Sequence, residues 1–445
     1  MLGLGLGHYI PLVAYLGFWA MVILSLTGRP QWGLYYMLPF LPYRTMRDHF
    51  LQFPLGANVL VILILAVIVG AVLKGKRLPK SNLYVIWILT GIYLYLSMWV
   101  GTVRGIAPAP LWLSDINFLT WKDYMVIPMV FAAAGMLIED RKAIRTVIII
   151  IAVALLFIDR SCLLESMTRT WSSFDEDKRG GGPLGYGSNQ TAAFLAQFAM
   201  FFWGFAIFLK KVRTKVLCYI LVSITVFAAM YTFSRGAYLA MLFGVFVLGI
   251  TKDRKLLILL AVFLATWQAI VPVAVRERVT MTRTADGRLE SSAEERVELW
   301  TNAESVIENY PILGTGYATF QLGQHVDGLK DTHNWYVKVM VESGIIGLSL
   351  AVALVGQLLA LSFRLFRRAS DPLYRGLGLG LLAATCSCLV ANCFGDRWTY
   401  IEITALLWVL AAAAIRALQF TNEPQTGEVT ERLADRAVNP YLVYR

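Results

Sequence analysis

The sequence predicts an all-α, polytopic integral membrane protein with about twelve transmembrane helices and one large, partly helical loop. Of its 445 residues, 58% are hydrophobic and 16% are charged, and the mean hydropathy is +0.61. This composition is far more apolar than that of soluble domains. The apolar residues form continuous runs close to 20 residues long, which is the length that a helix needs to cross a bilayer.

We predict twelve spans, of which the fourth and the fifth are short. The first is preceded by no Lys or Arg and followed by no small-residue cleavage site, so we expect a retained helix and not a removed signal peptide. The predicted spans lie near residues 9–27, 57–73, 82–100, 123–138, 145–158, 188–209, 215–232, 236–250, 255–275, 335–362, 376–394 and 399–417.

The short loops predict the orientation of these spans. Clusters of Lys and Arg follow the second, fourth, sixth, eighth and tenth spans, so all five clusters fall on one side. By the positive-inside rule this side is cytoplasmic, and both termini lie there too. The predicted organisation is transmembrane helices over 1–275, a periplasmic loop domain over 276–334, three further transmembrane helices over 335–420 and a cytoplasmic tail over 421–445.

The opposite side carries about half of the arginines but few of the lysines. A positive-inside bias would deplete both residue types, so the arginines need another explanation. Arginine offers a planar fork that grips phosphate or carboxylate at two points. An anionic partner on the outer face is the simplest account, and pairing with lipid headgroups or with loop acids such as Asp175 and Glu294 is the alternative. Because topology explains the net charge of +11, nucleic acid is not an expected partner.

The longest polar segment lies before the tenth span and contains a predicted helix. The capping box Ser292-x-x-Glu295 begins this helix, and Pro311 ends it. Arg296 lies one turn before Trp300, so its aliphatic stem can pack while its guanidinium group remains in a polar environment. The segment is therefore expected to fold as a small cap over the membrane helices.

His333 lies where this polar segment becomes a membrane helix. Asp331 or Thr332 is the expected N-cap, which would place the imidazole on the first turn. A histidine there can exchange protons with water and still meet a lipid-anchored substrate. An ordinary interfacial polar residue is the alternative interpretation.

Two short outer turns carry further candidate residues. The turn Phe233-Ser234-Arg235-Gly236 joins two spans and places Arg235 at the membrane surface, where an uncompensated charge is costly. Asp396 lies in the corresponding turn before the last span. Its carboxylate is expected to orient His333 or Arg235, with an ion pair to Arg397 as the alternative.

One turn apart on the tenth helix lie Lys338 and Glu342, which we expect to form a buried pair with each other.

The sequence predicts neither a metal site nor an organic cofactor. The outer segments hold no His, Cys, Asp and Glu cluster with metal-ligand spacing, and the Asp175-Glu176-Asp177 run continues directly into Lys178 and Arg179. The five cysteines fit packing roles. One histidine with several arginines suits proton removal from a hydroxyl group while a phosphate departs.

The order of these motifs resembles the bacterial O-antigen ligase and O-antigen polymerase superfamily, and it is closest to the ligases. Their hallmark is His-(Asn/Ser/Gln), nine residues, then Gly-x-x-(Gly/Thr/Tyr). The chain has His333-Asn334, nine residues, and Gly344-Ile345-Ile346-Gly347. The stretch from Trp300 to Tyr317 and the Ser234-Arg235-Gly236 turn are also similar to that superfamily.

This resemblance implies a metal-independent, inverting glycosyltransferase with its active site on the periplasmic face of the inner membrane. The implied donor is a glycan on undecaprenyl diphosphate, and the acceptor is a sugar hydroxyl of lipid A–core or another glycan. His333 matches the catalytic histidine of the ligases. Arg235, Arg296, Asn334 and Asp396 are the implied residues for binding diphosphate and substrate.

Two alternative functions remain open at the level of the sequence. A polymerase would use the same donor, and polymerases carry relatives of the histidine motif. A transporter or flippase for a lipid-linked glycan belongs to another class, and it should place polar residues near the middle of its spans. The candidate residues cluster instead at the outer ends, which favours an enzyme.

Overall fold

The computed structural model describes residues 9–167, 174, 179–281, 291–322 and 332–422, and this part of the chain is helical without β-strands. Short 3₁₀ turns between the second and fourth helices complete the first outer segment. The sixteen α-helices are α1 Ile10–Leu26, α2 Pro30–Met37, α3 Arg44–Asp48, α4 Val59–Leu73, α5 Asn82–Val103, α6 Ile116–Leu137, α7 Arg141–Met167, α8 Ser188–Ala206, α9 Val212–Met230, α10 Arg235–Thr251, α11 Lys255–Ile270, α12 Val273–Thr280, α13 Ser291–Asn309, α14 Trp335–Arg368, α15 Pro372–Asn392 and α16 Ile401–Asn422.

The predicted fold class is confirmed, because every predicted span overlaps one of these helices. Among the described residues, seven helices are long and apolar enough to cross a membrane, and an eighth span results if α11 and α12 are counted as one bent unit. Helices α1 and α10 are apolar but shorter. The count of twelve spans stays a prediction.

Three of the predicted spans differ from the corresponding helices. The fourth and fifth spans were predicted to be short, but the corresponding helices α6 and α7 have 22 and 27 residues. The ninth span, predicted over 255–275, breaks after Ile270 into α11 and α12, which are bent by 108°. A proline disfavours the helical conformation of the residue that precedes it. Val271, which precedes Pro272, is accordingly extended, with ψ of 138°.

Helices α8, α15 and α16 form the centre of the bundle. The apolar windows of α15 and α16 are 78% and 83% buried, whereas the other candidate spans are buried to 50% or less. Small residues let α8 and α15 approach closely, since a Cβ atom on Gly380 would lie 2.4 Å from the carbonyl oxygen of Phe201. Helix α11 lies at the periphery and has no buried residue.

At each end of the bundle, hydrogen bonds and ion pairs hold the connecting segments together. At one end, Arg141 bonds to Asp371 at 2.8 Å. At the other end, Thr45 donates from its backbone N–H to the carbonyl oxygen of Pro183 at 3.1 Å, and Arg47 forms an ion pair with Glu402. The second end also holds the turn 232–236 and the segments 310–322 and 332–335, and we call it the site end.

Candidate functional site

His333 lies directly before α14 in an uncommon backbone conformation. Its φ is +50°, a left-handed value that is rare for residues other than glycine. Asn334 is the N-cap of the helix, because its side-chain oxygen accepts hydrogen bonds from the backbone N–H of Tyr336 at 3.0 Å and of Val337 at 3.4 Å. The motif therefore pairs a candidate base with the residue that starts the helix.

This geometry corrects the sequence prediction in one respect. His333 was expected on the first turn, capped by Asp331 or Thr332, but it precedes the cap Asn334. Asp331 lies outside the described residues. The Thr332 hydroxyl donates to the carbonyl oxygen of Asn334 at 2.8 Å and so stiffens the connection.

Helix α13 holds the histidine segment in place. The indole Nε1 of Trp300 donates to the carbonyl oxygen of Thr332 at 2.9 Å, next to His333. Farther along, Ala303 and Val306 of α13 pack with Phe320 and Val341 in a separate apolar cluster. Arg296 lies one turn before Trp300 and is thereby carried to the same place.

A backbone break in α14 explains the glycine motif. Gly344 has φ of +61° and ψ of −166°, so the helix is interrupted there and nearby carbonyl groups lose their intrahelical partners. The backbone N–H groups of Thr315 and Gly316 donate to the carbonyl oxygens of Val341 at 2.8 Å and Glu342 at 2.9 Å. The Tyr93 hydroxyl donates to the carbonyl oxygen of Ser343 at 2.6 Å.

The break is the docking point for the stretch that follows α13. The N–H group of Ile345 donates to the carbonyl oxygen of Pro311 at 2.9 Å. The buried carboxylate of Glu342 accepts from the backbone N–H groups of Ala318 at 3.1 Å and Phe320 at 3.4 Å. Two motifs that are separate in the sequence are therefore two halves of one backbone lock.

We expect Gly344→Ala to lower the free energy of unfolding by at least about 1–3 kcal/mol, since a residue with a side chain is strained at this φ. A Cβ atom there would also lie only 2.2 Å from the carbonyl oxygen of Ile312. Thermal unfolding in detergent measures the effect. Gly356→Ala on the same helix is the matched control, because its Cβ would meet nothing within 4 Å. Equal melting temperatures for the two variants would contradict the lock.

A cavity of about 430 Å³ opens at the site end. The half-buried side chain of His333 lines it, together with Glu295, Asn189 and five arginines. These arginines come from five different segments: Arg179, Arg235, Arg278, Arg296 and Arg397. Guanidinium groups in such density favour a ligand with more than one negative charge.

Three predicted residues, His333, Arg235 and Arg296, meet in this cavity. The other three arginines were missed, although the excess of arginine on the outer side is the signal that includes them. Asn334 acts on the cavity through the backbone, because its side chain caps α14.

Arg179 and Arg278 fix the turn that carries Arg235. Phe233 has φ of +55°, and its carbonyl oxygen accepts from Arg179 Nη2 at 3.3 Å and from Arg278 Nε at 3.4 Å. Arg179 also donates to the side-chain oxygen of Asn189 at 2.7 Å. Arg235 begins α10 directly after this turn and donates from Nη1 to the carbonyl oxygen of Met281 at 2.8 Å.

Asp396 lies away from the cavity lining. Its Oδ2 atom lies 3.1 Å from Nζ of Lys338, and its Oδ1 atom accepts from the N–H groups of Trp398 at 3.0 Å and Thr399 at 3.1 Å. Burial raises the pKa of this carboxyl. The charge of Lys338 and the hydrogen bonds from Thr399 lower it by more than burial raises it, so the pKa lies below its usual range.

These contacts revise the prediction that Asp396 orients His333 or Arg235. Its carboxylate is directed to Lys338. The pairing of Lys338 with Glu342 stays a prediction. Arg397 is the residue of this turn that lines the cavity, and it donates to the backbone carbonyl oxygens of Asp396 at 3.2 Å and Phe394 at 3.4 Å. Asp396 therefore shapes the turn that presents Arg397.

Lys338→Met should destabilise the protein by about 3–5 kcal/mol, because it leaves a buried carboxylate without its cation. In the double variant Lys338→Met/Asp396→Asn that charge is gone, so much of the loss should be recovered. Thermal unfolding of the single and double variants tests this. A double variant as unstable as the sum of the two single variants would show that the pair is not coupled.

No group of three or more His, Cys, Asp or Glu side chains in the described part of the chain is placed to hold a metal ion.

A comparison with protein-family models gives a match. Residues 220–352 match the family model described as O-antigen ligase, a range that includes Arg235, Arg296, His333 and Gly344. Arg179 and Arg397 lie outside it. No curated protein matches the chain. Over these residues, the match confirms the resemblance to the O-antigen ligase superfamily that the histidine and glycine motif predicts.

Proposed function

We propose that the protein is a glycosyltransferase of the bacterial inner membrane that transfers a polysaccharide from undecaprenyl diphosphate to a sugar hydroxyl of lipid A–core. The observation that carries this proposal is the cavity in which one histidine and five arginines meet at the site end. The family match over residues 220–352 supports a lipid-linked glycan as the substrate class.

The chemistry needs a base and a site for a leaving anion. The acceptor hydroxyl oxygen attacks the anomeric carbon of the donor sugar while the bond from this carbon to the phosphate oxygen breaks. The hydroxyl proton passes to the imidazole of His333, which later releases it to water. Undecaprenyl diphosphate leaves with the bonding electron pair, and attack from the opposite face inverts the anomeric centre.

The arginines have two kinds of role in this proposal. Arg235 and Arg296 come from different elements of the cavity and can grip the diphosphate oxygens in pairs. Arg179 and Arg278 are committed to the carbonyl oxygen of Phe233, so they position the turn that carries Arg235. Their charges add to the field that stabilises the anion as it departs.

Gel analysis of surface glycans in a deletion strain tests the function. A ligase predicts loss of all polysaccharide-capped lipopolysaccharide, with lipid-linked polymer retained. Capping by a single repeat unit would show a polymerase instead. The proposed reaction needs no metal ion. Loss of activity with a chelator, followed by recovery when Mg²⁺ is added, would therefore contradict the proposal.

The proposed orientation places the cavity in the periplasm and both termini in the cytoplasm. Reporters fused near Arg213 and Arg368 are expected to report the cytoplasm, because these loops carry the basic clusters. A reporter near Gly287, which lies outside the described residues, should report the periplasm. A cytoplasmic signal at Gly287 would put the whole site on the wrong side for this reaction.

A further inference from the structure

Two arginines of α3 have different environments although they lie three residues apart. Arg47 forms an ion pair with the buried carboxylate of Glu402, so its charge is neutralised within the protein. The side chain of Arg44 remains 36% exposed. Arg44 forms an ion pair with Asp48, whose carboxylate is 53% exposed and lies 3.8 Å away. Exposed pairs of this kind contribute little, so Asp48 does not neutralise Arg44. The charge of Arg44 also acts on the buried carboxylate of Glu402, but that carboxylate is bonded directly to Arg47.

The guanidinium group of Arg44 is held in a fixed orientation. Its Cζ atom lies 4.0 Å from the ring centroid of Tyr186, and the Tyr186 ring packs against that of Tyr400 with centroids 4.5 Å apart. Gly185 gives the arginine stem room, because a Cβ atom there would lie 3.0 Å from Cδ of Arg44. Stacking of the planar face leaves the N–H groups at the edge of the guanidinium group for a ligand.

Short stretches of chain connect the Arg44–Tyr186–Tyr400 cluster to residues that line the cavity. Tyr186 precedes the cavity residue Asn189 by three positions, and Tyr400 follows the cavity residue Arg397 by three positions. The backbone N–H and the hydroxyl of Thr45 both donate to the carbonyl oxygen of Pro183, at 3.1 Å and 3.2 Å, and fasten α3 to this rim. A saccharide that is bound in the cavity could therefore place a charged group on Arg44.

We propose that the Arg44–Tyr186–Tyr400 cluster is an acceptor subsite that binds a phosphate or carboxylate carried by the acceptor saccharide. This inference rests on the proposed function, because it assigns the cluster to the second substrate of the same site. A pre-oriented guanidinium group loses little conformational entropy on binding and can hold two anion oxygens at once. The paired tyrosine rings supply the apolar and hydrogen-bonding surface that sugar rings require.

The test is binding without donor. The full chain is placed in nanodiscs of zwitterionic lipid, and the probe is phosphorylated core oligosaccharide freed of its acyl chains, compared with the same oligosaccharide after phosphatase treatment. Loss of one charge-assisted grip should weaken binding about tenfold. We expect this loss when Arg44→Gln binds the phosphorylated probe, and also when the wild type binds the dephosphorylated probe. Arg44→Gln should bind the dephosphorylated probe no more weakly than the wild type does.

Arg104→Gln is the matched control, because Arg104 is also stacked on a tyrosine, with its Cζ atom 3.7 Å from the ring centroid of Tyr310. The Arg104→Gln variant should bind both probes as tightly as the wild type does. Arg44→Lys should bind the phosphorylated probe more weakly than the wild type, since lysine lacks the fork, and this second variant keeps the charge at the surface.

Three results would overturn the proposal. One is unchanged binding of the phosphorylated probe by Arg44→Gln. Another is an equal loss with both probes, which would mean that Arg44 acts on the fold. The third comes from repeating the measurement in nanodiscs that contain anionic lipid: complete displacement of the phosphorylated probe there would make the cluster a headgroup site. Because no donor is present, failure of the transfer reaction would not alter these binding results.

Discussion

Replacing His333 by asparagine is expected to lower glycan transfer by about 10²–10⁴-fold, which is the usual contribution of a general base. Asparagine tolerates the left-handed conformation that His333 adopts, with φ of +50°, so the backbone before α14 should be preserved. Its amide cannot take the proton of the acceptor hydroxyl. His333→Ala and His333→Gln should be similarly poor, with some added backbone cost.

Single-turnover transfer from lipid-linked donor measures the effect, and donor binding is measured in parallel. Binding should stay near the wild-type level, because the cavity arginines are unchanged. His49→Asn is the matched control on the same end of the bundle, since the His49 ring contacts the carbonyl oxygen of Thr45 at 2.6 Å and does not line the cavity. Near-normal transfer by His333→Asn would leave His333 as a structural residue, and a product with retained configuration would require a covalent step.

The membrane helices could be predicted because a helix within lipid must be apolar over its whole length, whichever helices pack against it. The ends of helices could not be predicted as well, since they depend on local competition. Asp331, Thr332 and Asn334 are all favourable N-caps. The contact from Trp300 to the carbonyl oxygen of Thr332 and the left-handed conformation of His333 accompany the choice of Asn334, and both depend on tertiary packing.

The site was predictable where its residues belong to local motifs. His333 and Arg235 each stand in a recognisable turn, and Arg296 stands near the start of a helix. Arg179 and Arg278 join them through one backbone carbonyl oxygen, that of Phe233, which lies more than 40 positions from each in the sequence. The carboxylate of Asp396 is likewise paired with Lys338 over a separation of 58 residues. Such contacts join residues that are far apart in the sequence, so they cannot be predicted from residue spacing within a single helix or turn.

The glycines show the same difference between recognising a motif and explaining it. The Gly344-x-x-Gly347 pattern was assigned by resemblance alone. Its physical reason is the interruption of α14, at which Thr315 and Gly316 donate to the carbonyl groups of Val341 and Glu342. Because His333 is fastened to α13 and α13 leads into this lock, the glycines act on the site by positioning it.

Arg235→Lys and Arg296→Lys are each expected to lower transfer by about 10²–10³-fold, although both variants keep the positive charge. The guanidinium group presents two parallel N–H donors to two phosphate oxygens, whereas the lysine ammonium is a single point of charge. The loss should appear mainly in the rate of transfer, because negative charge on the leaving diphosphate grows as the bond to the sugar breaks. Donor affinity should fall less, since the remaining cavity arginines still attract the diphosphate.

The matched control is Arg276→Lys on α12. Arg276 lies two residues from the cavity residue Arg278, but its Nη1 atom donates to the carbonyl oxygen of Gln268 at 2.8 Å and it does not line the cavity. Transfer by this variant should remain near the wild-type rate at equal expression. If Arg235→Lys and Arg296→Lys also transfer at that rate, two-point binding of the diphosphate is wrong and the arginines act only through their charge. Glutamine variants at the same two positions would then show the size of the charge effect, because glutamine removes the charge and keeps a single amide donor.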